Sequence, residues 1–224
     1  MIQLQTSPTQ EIVYPDSDDQ PMSDNTEQFQ WIVTIKENLE ILFAADPDVF
    51  VAGDLLWYPV EGNNKIRQAP DAMVAFSRPK GKRGSYKQWR ENNIAPQVVF
   101  EIISPGNTIK EMAKKLDFYN RYGVEEYYIY DPERVDLAGW QRNSQQELEV
   151  IEEINGWVSP RLEIRFEITE DSLQIYRPDG SRFLTSVELE QRARDAEQRA
   201  QDAEERVQIL EARLRELGVD PNQL

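Results

Sequence analysis

The sequence predicts an α/β fold: a central mixed β-sheet flanked by helices, with an antiparallel extension and a long C-terminal helix. Three observations carry that prediction. Residues 96–131, PQVVFEIISPGNTIKEMAKKLDFYNRYGVEEYYIYD, read as strand, turn, helix and strand. Short apolar runs punctuated by turn residues lie on both sides of this unit. From Leu189 onward the apolar residues fall into a heptad register.

The central unit opens with Val98-Val99-Phe100-Glu101-Ile102-Ile103, apolar enough for a strand covered on both faces, yet Glu101 sits in the middle of it. An unpaired charge there costs several kcal/mol, roughly, so either the strand end is open to solvent or a cation answers Glu101. A bound metal is one such cation. Ser104-Pro105-Gly106-Asn107 gives a turn, and Thr108 with Glu111 three residues later opens a helix as a capping box. Met112, Leu116, Phe118 and Tyr119 form its apolar stripe, Gly123 stops it, and Glu126–Tyr130 starts another strand. A β-α-β unit is a right-handed crossover, so the two strands are expected to be parallel. Lys115 lies about two turns into the helix, and a long side chain there can reach back toward the sheet.

Taken in order, residues 1–25 are rich in Gln, Ser, Pro and Asp and are expected to form a poorly ordered lead-in. From Thr26 to Ala45 the apolar residues recur at helical spacing, with Asp24 or Asn25 as N-cap. Glu37 and Glu40 ride on this helix, either solvated or near a site. Val49–Ala52 and Leu55–Tyr58 flank Gly53-Asp54 and lead through Ile66 to Met73–Phe76, the pattern of a β-meander. Pro70-Asp71 opens its last strand, and Asp54 on the strand before it is a weaker site candidate. Further strands are expected at 137–141, 148–151, 162–166 and 173–176, with a turn at Pro178-Asp179-Gly180, as a small antiparallel extension of the main sheet. Leu189, Ala193, Ala196, Ala200, Ala203, Val207, Leu210, Leu214 and Leu217 then alternate in steps of four and three. They mark a helix about 45 Å long if continuous, ending at Gly218 with Pro221 beyond. It reads as a dimerising coiled coil, or as a single helix packed back on its own domain. The expected organisation is a lead-in (1–25), a globular domain (26–185), a coiled-coil helix (186–217) and a tail (218–224).

The chain of 224 residues contains neither histidine nor cysteine. That excludes disulfides, thiol nucleophiles, histidine bases and structural zinc sites of the usual ligands. What remains is carboxylate, Lys, Tyr and Ser chemistry, with oxygen ligands suited to a hard cation such as Mg²⁺ or Mn²⁺. A formal net charge of −16 argues against coating nucleic acid by bulk attraction. Charge placement qualifies this: Arg78, Lys80, Lys82, Arg83, Lys87 and Arg90 fall in one stretch with no acid among them. The stretch reads either as a solvated glycine-rich loop or as a phosphate clamp. The chain has no signal-like start and no apolar run approaching about 18 residues, so it is expected in the cytoplasm, away from membranes.

Asp71 and Glu101 can supply two acids for a divalent cation if their strands are neighbours, and the Ile102 carbonyl can complete the oxygen shell. Lys115 then supplies the positive group near a scissile phosphate. The block Ala69-Pro70-Asp71-Ala72-Met73-Val74, then Val99–Pro105, Glu111, Lys115, Tyr119, Gly123–Tyr128 and Asp131-Pro132, resembles the PD-(D/E)XK nuclease superfamily. Within it the block is similar to the restriction-endonuclease-like Uma-two group abundant in cyanobacteria, over roughly residues 30–185. That superfamily's lysine stands two residues after the second acid, where this chain has Ile103; the resemblance places it instead at Lys115 on the following helix. Lys114 points about 100° away round the helix and ranks below it. The bland alternative for Lys115 is an ion pair with Glu111. The resemblance implies Mg²⁺- or Mn²⁺-dependent cleavage of DNA by a homodimer, with Asp71, Glu101 and Lys115 catalytic and Asp71, Glu101 and Ile102 holding the metal. The alternative is a catalytically silent nuclease fold serving as a coiled-coil scaffold. Removing Glu101 is expected to abolish metal binding, and to raise stability if the acid stands unpaired.

Overall fold

A computed structural model describes residues 12–17, 23 and 25–217. It divides into two compact units, residues 1–183 and 184–224. In the first, α1 (Thr26–Leu42) is capped by Asn25, whose side chain accepts from the Gln28 N–H at 2.8 Å. The strands are β1 (Val49–Ala52), β2 (Trp57–Tyr58), β3 (Ala72–Phe76), β4 (Tyr86–Lys87) and β5 (Val98–Ile102), and α2 (Ile109–Tyr122) follows. After α2 come β6 (Glu126–Asp131), β7 (Asp136–Arg142), β8 (Leu148–Val150), β9 (Arg165–Ile168) and β10 (Leu173–Tyr176).

Six strands form the main sheet in the order β1-β3-β5-β6-β7-β8. The β5–β6 pair is parallel, as a right-handed crossover through α2 requires, and the other pairs are antiparallel. Side chains alternate between faces along each strand. Val74, Val98, Phe100, Tyr128 and Tyr130 pack with Ile32, Ile35 and Leu39 of α1 and with Phe166, Leu173 and Ile175 of β9 and β10. Met73, Ala75, Val99 and Tyr127 face the other way, toward Tyr119 of α2 and Trp57. Burying a side chain such as Leu39 or Ile35, both at most 1% exposed, contributes about 2 kcal/mol.

Two strand expectations are corrected. β2 leaves the meander and pairs in parallel with β4 in a two-stranded sheet, so β1 and β3 become direct neighbours. The extension is split: β7 and β8 continue the main sheet, whereas β9 and β10 form a separate two-stranded sheet. Part of the expected lead-in is held in place. The Pro15 carbonyl accepts from the Tyr58 hydroxyl at 2.7 Å, the Asp16 carboxylate accepts from Ser85 at 2.8 Å, and Tyr14 packs against Tyr58 and Trp89. Asp24 and the tail 218–224 lie outside the described residues.

The second unit contains α3 (Ser186–Glu216), opened by a capping box in which Thr185 and Glu188 bond reciprocally. Val187, Val207, Leu210 and Leu217 are exposed along it. Among the described residues no helix is long and apolar enough to cross a membrane.

Candidate active site

Asp71 and Glu101 come together because β3 and β5 are antiparallel neighbours. Ala72 lies opposite Phe100, so one step further Asp71 stands opposite Glu101, with both side chains on the α2 face of the sheet. The Asp71 carboxylate accepts from the Ile102 N–H at 2.6 Å. Glu101 is 1% exposed, and its charge is answered: Lys115 Nζ lies 2.7 Å from one carboxylate oxygen, and the Tyr119 hydroxyl donates to the other at 2.5 Å.

Helical spacing explains the pair of donors. Lys115 and Tyr119 are four residues apart, one turn along α2, so they stand over the same part of the sheet. Thr108 caps the helix by accepting from the Glu111 N–H at 3.2 Å, and Gly123 ends it with φ 92°, a left-handed position that glycine takes without strain. An aromatic box fixes Tyr119: Trp57 stacks parallel to it at 6.3 Å between ring centroids, and Tyr127 lies at 4.9 Å. Lys115 therefore pairs with Glu101 rather than serving only as a helix partner of Glu111.

The electrostatics are those of two carboxylates forced together. Burial, and then the neighbouring Glu101 charge, push the Asp71 carboxyl well above its usual value, against the pull of the Ile102 N–H and Lys115. Burial alone would lower the Lys115 ammonium, but the Glu101 charge and hydrogen bond hold it above its ordinary value, so it stays cationic. The Tyr119 and Tyr127 hydroxyls are both pushed up, by burial first and then by Glu101.

The expected residues fit a hard divalent cation on three observations. Two carboxylates face one another, burial and then the Glu101 charge raise Asp71, and every atom they offer a cation is an oxygen. The Ile102 carbonyl is at the same strand end, although it accepts from Gln28 Nε2 at 2.8 Å, which leaves one of its lone pairs. The buried Tyr127 hydroxyl has no hydrogen-bond partner. No group of three or more acidic, histidine or cysteine side chains placed for a metal occurs among the described residues, so backbone oxygen would have to complete such a site.

Of the weaker candidates, Asp54 adjoins this arrangement and the others are engaged elsewhere or exposed. Asp54 is exposed, at φ 46°, and its charge adds a small upward push on Asp71. Its N–H donates to the Pro70 carbonyl at 3.0 Å, and Gly53 before it lets this loop approach: a Cβ there would lie 3.2 Å from the Asp71 carbonyl. Glu37 and Glu40 are occupied with Lys36, at 3.0 and 2.9 Å. Lys114 is exposed. In the basic stretch, Arg83 bonds Glu91 at 2.7 Å and lies over the Phe50 ring, Arg78 is 3.9 Å from Glu91, and Lys80 donates to the Phe43 carbonyl. Glu91, one residue past the stretch, thus neutralises part of it.

Sequence reasoning did not assign Gln28, Tyr119 or Tyr127 to the site. Tyr119 stands in the sequence as a stripe residue and as part of the block that carries the resemblance, with no role attached, although its spacing from Lys115 is the available signal. Gln28 is 74 residues from Ile102, and nothing local announces the contact.

Compared with known proteins, residues 20–175 match the family model Uma2, described as "Putative restriction endonuclease". Among solved structures, a crystal structure described as a putative nuclease belonging to DUF820, from Anabaena variabilis, aligns with a TM-score of 0.45 at 15% identity. The alignment covers 61% of this chain and 72% of that one. No curated protein matches.

Proposed function

We propose that this chain, which belongs to the Uma2 restriction-endonuclease family, is a Mg²⁺- or Mn²⁺-dependent endonuclease that hydrolyses phosphodiester bonds in DNA. The observation that carries the reading is the placement of Lys115 Nζ 2.7 Å from Glu101, on the sheet face that Asp71 shares. This is a cation beside two acids, built from two strands and the helix that joins the second of them to the next. Asp71, Glu101 and the Ile102 carbonyl would hold the metal. The bound ion supplies Lewis-acid stabilisation of charge on the scissile phosphate.

The chain's own side chains divide the remaining work. Lys115, kept protonated by its neighbours, presents positive charge where the pentacoordinate phosphate accumulates negative charge. Tyr119, locked between Trp57 and Tyr127, holds one oxygen of Glu101 and so fixes how the carboxylate faces the site. Gln28 ties the start of α1 to the strand end that carries Ile102. A second copy of the chain is proposed to associate through the exposed heptad face of α3.

One observation favours the scaffold reading: without metal, both oxygens of Glu101 already have partners, so the site is self-satisfied as a structural ion pair. Incubating purified protein with single- and double-stranded DNA in Mg²⁺ or Mn²⁺, with EDTA alongside, separates the two. The nuclease reading requires cutting that EDTA stops; intact DNA with either metal supports the scaffold.

A further inference from the structure

Outside the carboxylate site, one concave surface differs in charge from the rest of this acidic chain. A groove of about 610 Å³ runs between α2 and the connection from β2 to β3. Lys65 and Arg67 line it from the connection, Lys110, Lys114 and Arg121 from the helix, and Asp117 is the one acid of the lining. Asp117 is held by Arg121 at 3.3 Å, so the lining carries a clear excess of positive charge in a chain of net charge −16. Chance placement on such a surface would bring acids, not a run of cations.

The groove lies one helix row away from the candidate site. Lys110, Lys114, Phe118 and Tyr122 form one i,i+4 row of α2, and the neighbouring row holds Glu111, Lys115 and Tyr119. Lys115 is about 100° round the helix from Lys114. A strand lying along the first row therefore passes beside the second. At the floor, Phe118 and Tyr122 pack at 4.7 Å and both touch Trp57, which in turn stacks on Tyr119. The groove wall and the ring that fixes Tyr119 are one packed unit.

We infer that this groove, rather than the stretch from Arg78 to Arg90, is where the phosphodiester backbone of the DNA is held as it enters the site. The inference rests on the proposed nuclease function and assigns its substrate-positioning surface. Each lysine that neutralises a phosphate releases a counterion, so each adds close to one unit to the salt dependence of binding. In the other stretch Arg78 and Arg83 face Glu91, which removes much of their contribution to a polyanion.

The test is binding rather than cutting, measured with the full chain in EDTA. Fluorescence anisotropy of a labelled DNA oligonucleotide is followed from low to moderate salt for the wild type, Lys110→Gln/Lys114→Gln and Lys80→Gln/Lys82→Gln. All four lysines are exposed, so folding is not at stake. The groove variant should bind at least about tenfold more weakly at 0.1 M salt, with the slope of log K against log salt smaller by about 1.5–2; the other variant should match wild type. Loss confined to the Lys80/Lys82 variant, or an unchanged slope in the groove variant, overturns the groove while leaving the nuclease reading intact. A wild type with no salt-dependent DNA binding overturns the groove, and the EDTA-sensitive cutting assay then decides the nuclease reading separately.

Discussion

At the scale of single residues, Glu101 decides the energetics. It is buried, and Lys115 and Tyr119 together satisfy it, so removing either charge strands the other. Lys115→Ala is predicted to destabilise the metal-free protein by about 3 kcal/mol in urea unfolding, because a carboxylate is left buried without its cation. Glu101→Ala should also lower stability, contrary to the gain expected for an unpaired acid, since it leaves Lys115 and the Tyr119 hydroxyl without their acceptor. Asp71 behaves in the opposite sense. Its carboxyl titrates above the ordinary value in the folded protein, so its ionised form costs stability at neutral pH. That cost is relieved as pH falls through the folded value, and is gone below the unfolded one. Asp71→Asn should therefore unfold at a higher temperature than wild type at pH 7 in EDTA. For a chain of this size a gain of about 1 kcal/mol appears as roughly 2–4 °C, and the difference should shrink on acidification. Glu101 stands out in the sequence because an acid inside an apolar strand breaks a local rule, whereas Asp71 after a proline breaks none, and it and Lys115 are singled out together with Glu101 by the resemblance of the whole block. Gln28 and Tyr127 do not stand out in this way: Gln28 is buried at the start of the core-facing row of α1, where its partner lies 74 residues away, and a tyrosine in a strand breaks no rule.

At the scale of elements, the site depends on where α2 stops and how it lies on the sheet. Gly123 takes the left-handed conformation, so Gly123→Ala should cost about 1 kcal/mol, read as a lower unfolding midpoint in urea with an unchanged slope. The strand-turn-helix-strand order around α2 was legible from Thr108, Gly123 and the apolar periods, all of which act within a few residues. The fates of β2 and of β9–β10 were not. Trp57-Tyr58 reads locally like any edge of a meander, and its partner, Tyr86-Lys87, lies far along the chain, where the Trp57 indole N–H donates to the Gln88 side chain at 3.0 Å. Such contacts join residues far apart in sequence and leave no periodic trace. In α3 the heptad predicts a dimer: Leu210→Glu should shift full-length protein toward monomer in sedimentation equilibrium, whereas a helix with no partner would show no change.

For the whole molecule, the strongly negative charge and the proposed DNA substrate are reconciled by local rather than net charge. Cations gather along one side of α2, and a cation stands between the two acids and their surroundings at Lys115. The proposed nuclease chemistry turns on Lys115, which α2 places beside Glu101. The most direct measurement is single-turnover cleavage of DNA in Mn²⁺ by wild type and Lys115→Ala, at a temperature where circular dichroism shows both folded. The account predicts that EDTA abolishes wild-type cutting and that the variant cuts about 10²–10³-fold more slowly. A folded Lys115→Ala protein that cuts at the wild-type rate would contradict it.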